Sequence, residues 1–307
     1  MRKFDRWLFG YGAPEAFGLF RLVMGSLIFI NLCFISIDFD AWFTERGYVP
    51  VAIGERYMEP WYRFTLLPHV TSTPVTLAFY ILVMVAALFT AIGLWSRVST
   101  LVLALGLITL HHRNPWILHS GDTLMRMAAV YLAVGPSGMA FSVDRYRAVK
   151  KGTADTNPTI SMWPQRLVQI QIAVVYLSTV WWKMYGVYWR NLTASYFPTE
   201  LHEFDRFWMP KFMDNNVWVV KVTTLGTLVV EIALGTLVFW KPARKYCLIG
   251  GLLLHGYIDY RFNIPLFSYI ITSCYICFYE GDEVRAWYER LRNRRRRQAL
   301  PPAPEAS

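Results

Sequence analysis

Apolar positions in this chain run in long unbroken stretches, without the alternation of half-buried strands or the heptads of coiled coils. Eight stretches stand out, at residues 15–37, 73–95, 98–110, 123–140, 167–186, 217–240, 246–258 and 264–280. A helix needs about 17 to 25 apolar residues to cross the hydrocarbon core of a bilayer, so the pattern predicts an all-α polytopic membrane protein with about eight transmembrane helices. The third and seventh stretches are too short to span alone. Each leads into a polar, proline-containing segment, His111 to Asp122 and Asp259 to Pro265, so these two spans are expected to be interrupted by irregular backbone covered by protein. Residues 1–283 then form one transmembrane domain, and 284–307 a basic tail whose end, Pro301 to Ser307, is expected to be disordered. Arg2, Lys3 and Arg6 resemble a signal-peptide n-region, but the first stretch exceeds 20 residues with no small-x-small site, which predicts an anchor.

Composition agrees with that picture. Of 307 residues, 55% are hydrophobic and only 17% charged, against about 25% charged in a soluble domain. The formal charge of +10 does not point to nucleic acid, because the loops sort it. With the N-terminus inside, inner segments hold 19 Lys and Arg and outer ones 8; the net charge divides into +11 inside, +2 within the spans and −3 outside. The positive-inside rule therefore predicts a multi-pass cell-membrane protein with both termini cytoplasmic. Six arginines between Arg290 and Arg297 suit anionic lipid, although they also serve simply to lock topology. Cys33, Cys247, Cys274 and Cys277 have no metal-ligand pattern around them, and no metal site is predicted.

Ionisable residues inside the membrane are the candidates for chemistry. Arg21 and Glu231 lie at similar depths when counted from the inner ends of their stretches and have opposite charge, which predicts a buried structural pair. All six histidines (His69, His111, His112, His119, His202 and His255) fall in outer loops or outer helix ends, with Asp122, Arg126, Asp259 and Arg261. That one-sided clustering predicts an outward-facing polar cavity. Gln169, Tyr176, Thr179 and Lys183 share one helical face, and Lys183 is flanked by Trp181, Trp182, Tyr185, Tyr188 and Trp189. A lysine in such an aromatic wall loses hydration, which disfavours its charged form and makes it a general base; the alternative is a lysine snorkelling to the interface. Asp122 and Arg126 are spaced to pair, and His119 to Asp122 reads as a turn that either caps a helix or holds an anion. Asn191-Leu192-Thr193 is an outer-side glycosylation sequon.

Four groups of residues resemble those of the HTTM (horizontally transferred transmembrane) proteins, similar to the membrane part of vitamin K-dependent gamma-carboxylase. They are Leu19-Phe20-Arg21-Leu22 with Gly25; Arg113-Asn114-Pro115 with Gly121-Asp122 and Arg126; Lys183, Gly186 and Trp189; and Glu231, His255 and Leu266-Phe267-Ser268-Tyr269. The resemblance implies Lys183 as the base that deprotonates vitamin K hydroquinone or menaquinol, with His255 and His119 orienting the ligand, and oxygen and carbon dioxide as further reactants. Asn114, Asp122, Arg126 and Trp189 from these motifs, with Arg261 from the outer polar cluster, are the expected ligand-binding residues. The carboxylase has a large soluble domain after its membrane part, whereas the resemblance here covers residues 15–280. Two other readings therefore stay open: a non-catalytic membrane partner in the maturation or export of a secreted peptide, and a transporter.

Overall fold

The computed structural model describes residues 3–57, 64–67 and 69–298, and the expected disorder at Pro301 to Ser307 lies outside them. The described chain is helical apart from one two-stranded ladder. Its principal helices are α1 (Glu15–Ile37), α2 (Thr73–Ile92), α3 (Ser96–Arg113), α4 (Ser120–Val134), α5 (Val143–Lys150), α6 (Trp163–Tyr185), α7 (Val217–Gly235), α8 (Lys241–Arg261), α9 (Phe267–Ser273, continued by a 3₁₀ turn Cys274–Phe278) and α10 (Gly281–Gln298). Among them α1, α2, α6 and α7 are long and apolar enough to cross a membrane.

The short elements are not the ones the apolar pattern marks. α3 has 18 residues and α8 has 21, because both continue through polar positions at their ends. Arg113 and Arg261 stay helical since their guanidinium groups find carbonyls in neighbouring loops: Arg113 donates to Phe43 O and Val70 O, and Arg261 to Thr199 O. The breaks come later, at Asn114 and Phe262, both extended. The fourth and eighth stretches are shorter instead, with 15 helical residues in α4 and seven in α9 before the chain tightens into its 3₁₀ turn.

Helix α1 is the axis of the bundle. Phe17, Phe20, Met24, Ile28 and Leu32 are buried along it, and α2, α4, α9 and α10 pack around it. Gly25 lets α2 approach closely: a Cβ there would lie 2.8 Å from Ala91 N, on α2. A second layer, α6 against α7 and α7 against α8, joins the first through α9. At the N-terminal end of α1, Tyr11–Gly12 (β1) pairs antiparallel with Ile160–Ser161 (β2) and ties the start of the chain to the start of α6.

Candidate functional site

The C-terminal ends of α6 and α8 and the N-terminal ends of α4 and α9 meet at one end of the bundle. Here Lys183 Nζ donates to both carboxylate oxygens of Glu231, at 2.5 and 2.6 Å. In a helix the Cα–Cβ bond leans toward the N-terminus, so the lysine side chain runs back along α6 to reach α7. Thr179 Oγ1, one turn earlier, lies 3.4 Å from the same carboxylate, and the Trp189 ring stands over the ammonium with its centroid 4.6 Å away. Lys183 and Glu231 side chains are 20% and 10% exposed, so two unit charges are held largely out of solvent and depend on each other.

The expected Arg21–Glu231 pair does not form. Gly235 sets the register of α7: a Cβ there would lie 2.6 Å from Leu177 Cγ and 3.4 Å from Ala173 O, which fixes the end of α7 against the middle of α6. Glu231 is thereby raised to the level of Thr179 and Lys183. Arg21 lies at the other end of the bundle, where it donates to the carbonyls of Ser137 (3.0 Å), Thr90, Ala91 (2.8 Å), Ala140 (3.4 Å) and Phe141 (2.6 Å). It joins the end of α2 to the α4–α5 connection.

The aromatic wall is also thinner than the sequence implies. Trp189 covers the lysine, while Trp181, Trp182, Tyr185 and Tyr188 are exposed.

One turn below Thr179 and two below Lys183, a row of polar groups joins α6, α8 and the turn after α9. Tyr176 Oη is 2.8 Å from His255 Nε2 on α8 and 2.6 Å from Tyr275 Oη in the turn after α9. His255 is buried, and its Nδ1 has no partner among the described residues. Tyr275 enters this row because Gly251 leaves space; a Cβ on Gly251 would sit 2.4 Å from the Tyr275 hydroxyl. Sequence reasoning did not single out Tyr275 or Gly251, although Gly251 lies one turn before His255 and Tyr275 one helical repeat after Ser268.

The Phe267 ring packs edge-on against both His255 (5.7 Å) and His119 (6.3 Å), so these two residues share one aromatic neighbour. His119 caps α4: its Nδ1 accepts from Gly121 N at 2.9 Å, which puts the proton on Nε2, and its own N–H donates to Asp122 Oδ2 at 2.8 Å. Asp122 also accepts from Asn31 Nδ2 at 3.2 Å, and it forms no ion pair with Arg126 among the described residues. The half-buried Arg126 lies within electrostatic range of both Asp122 and the buried His111.

Asn114 and Arg261 hold loops. Asn114 Nδ2 donates to Trp42 O at 2.8 Å, and Arg261 pairs with Asp205 at 2.9 Å. His69, His112 and His202 engage Glu55, Phe64 and Asp205 in the loops, so the six histidines share an end of the bundle without converging on one point. Among the described residues no three His, Cys, Asp or Glu side chains come together to hold a metal ion. The four cysteines are free thiols.

The HTTM domain model matches residues 13–282. The chain belongs to the HTTM family. Four apolar helices of spanning length inside an HTTM domain make it a multi-pass membrane protein. No curated protein and no solved structure matches it. Lys183, Glu231, Tyr176, His255, Tyr275 and His119 all lie inside the HTTM match.

Proposed function

We propose that this HTTM protein binds a quinol or similar lipidic ligand bearing a hydroxyl group beside the Tyr176–His255–Tyr275 row, and that the Lys183–Glu231 pair accepts its proton. The observation that supports this reading is the two-point contact of Lys183 with Glu231, 2.5 and 2.6 Å, one turn from that row. Transfer of a proton within the pair leaves an amine on Lys183 and a carboxylic acid on Glu231. The amine then takes the ligand's hydroxyl proton, and the resulting ammonium stands beside the new oxyanion. His255 and His119, both packed against Phe267, orient the ring of the ligand, and Arg126 offers a positive charge to an acidic co-reactant. Oxygen and carbon dioxide are the further reactants in the carboxylase-like version of this chemistry, with vitamin K hydroquinone or menaquinol as the cofactor.

The same reading places the histidine end outside and both termini in the cytoplasm, with eight crossings, supported by 19 basic residues on one side against 8 on the other. A non-catalytic partner for a secreted peptide is the second reading. It draws on the same contact, since a lysine whose carboxylate partner is already in place also serves to join α6 to α7. A photoactivatable quinone separates the two. Label on peptides from α6 and α8, competed by menaquinone, supports the ligand site; label spread evenly over lipid-facing helices removes it.

A further inference from the structure

Helix α10 begins on a fixed seat at the other end of the bundle. Arg285 Nε donates to Glu15 Oε1 at 2.6 Å, Val284 is buried, and Gly281 approaches Ala13 so closely that a Cβ would lie 2.0 Å from its carbonyl oxygen. The hydrogen bond to Glu15 raises the Arg285 pKa above its ordinary value. Beyond it, Trp287 and Leu291 are four apart, as are Arg290 and Arg294, so the four residues lie along one side of the helix.

Two recesses open along that side and share Trp287 and Arg290. The first, about 610 Å³, is walled by Leu19, Ile276, Tyr279 and Val284; the second, about 480 Å³, by Leu291, Asn293 and Arg294. Leu19 belongs to a membrane-crossing helix and Ile276 to the apolar α9 segment, so the first recess continues the hydrocarbon layer and ends at the tail's arginines. Arg290 spends Nε on Ala286 O at 3.2 Å, and its terminal nitrogens have no protein partner among the described residues. Glu283, the carboxylate in the wall, accepts from Glu280 N at 2.8 Å.

We infer that these joined recesses are a binding site for a diacyl anionic phospholipid, with an acyl chain along Leu19, Ile276 and Trp287 and the phosphate between Arg290 and Arg294. Apolar surface of this extent beside a bilayer is covered favourably by an acyl chain, and Trp at the boundary with arginine beyond it matches the order of chain, interface and headgroup. A free phosphate would engage the arginines and leave the apolar recess unfilled. The site stands apart from Lys183 and does not rest on the proposed chemistry.

Native mass spectrometry and thermal unfolding of the full chain, with phosphatidylglycerol, phosphatidylcholine or glycerol 3-phosphate added, test it. Phosphatidylglycerol should be retained and raise Tm, and the other two should not. Arg290→Gln and Arg294→Gln should each weaken retention roughly fivefold. Leu19→Trp, which fills the recess, should weaken it as well, and Arg292→Gln, which lines neither recess, should leave it unchanged. Equal retention of the two lipids, equal stabilisation by glycerol 3-phosphate, or unchanged retention in the double arginine variant overturns the inference. If Leu19→Trp does not fold, the headgroup comparison and the arginine variants still decide.

Discussion

Lys183 and Glu231 meet although one lies two residues from the end of α6 and the other fourteen residues into α7, because Gly235 seats the end of α7 against the middle of α6. The contact thus follows from a helix register, and the register follows from one residue without a side chain. Each charge is the other's compensation in a place where water supplies little.

Removing one member therefore strands the other. Lys183→Met or Glu231→Leu alone should destabilise the protein by about 3 kcal/mol, and the double variant should cost clearly less than the two added together. A double-mutant cycle by thermal or denaturant unfolding in a fixed detergent measures this. Simple additivity would show that the two side chains act independently.

Arg21 satisfies five carbonyls from two separate segments. A lysine has the charge but not the planar fork, so Arg21→Lys should lower stability by roughly 2 kcal/mol or more while leaving the Lys183–Glu231 contact intact. Unfolding of the single variant and of Arg21→Lys combined with Glu231→Leu checks both parts, since their effects should add.

Much of the fold was legible in the sequence, and the pairing of its charges was not. The apolar stretches locate α1, α2, α6 and α7 to within a few residues, because long runs of Leu, Val and Ile in lipid admit few structures other than a helix. Depth counted from segment ends matched Glu231 with Arg21, since sequence carries no sign that α7 is displaced along α6. The polar ends of α3 and α8 read as interruptions because the carbonyls that accept from Arg113 and Arg261 come from loops distant in sequence. His119 to Asp122 read from the sequence as a turn that either caps a helix or holds an anion, and the structure makes it a cap, whereas the Tyr176–His255–Tyr275 row joins residues 79 and 99 positions apart.

Gly251 and Gly256, five residues apart on α8, should respond in opposite ways. Gly251→Ala drives a methyl group into the Tyr275 hydroxyl and should cost about 1 to 3 kcal/mol, whereas Gly256→Ala meets nothing within 4 Å and should be neutral or stabilising by up to about 1 kcal/mol. Thermal unfolding of the pair tests whether Tyr275 is held where it is by that gap.

Asp144 caps α3 from a neighbouring helix, accepting from Trp95 N at 2.9 Å and from Ser96 N and Oγ at 2.7 and 2.8 Å. Burial alone raises its pKa, but the hydrogen bonds from Ser96 and Trp95 and the charge of Arg147 outweigh that and hold the carboxyl below its ordinary 3.8. A group depressed in the folded state contributes stability above its unfolded value, and that stability is lost as pH falls below about 3.8 through the folded value. Asp144→Asn should cost about 1 kcal/mol at pH 7 and make the acid limb of the stability curve shallower. An unchanged acid limb would mean that the cap contributes nothing.

The most direct test of the proposed chemistry is the rate of epoxide formation from menaquinol and oxygen by the purified protein in nanodiscs, with wild type and Lys183→Ala compared at equal folded concentration. A base acting on the ligand's hydroxyl predicts turnover in the wild type and a loss of roughly 10²- to 10⁴-fold in the variant. No epoxide from the wild type, or equal rates from the two proteins, would contradict it.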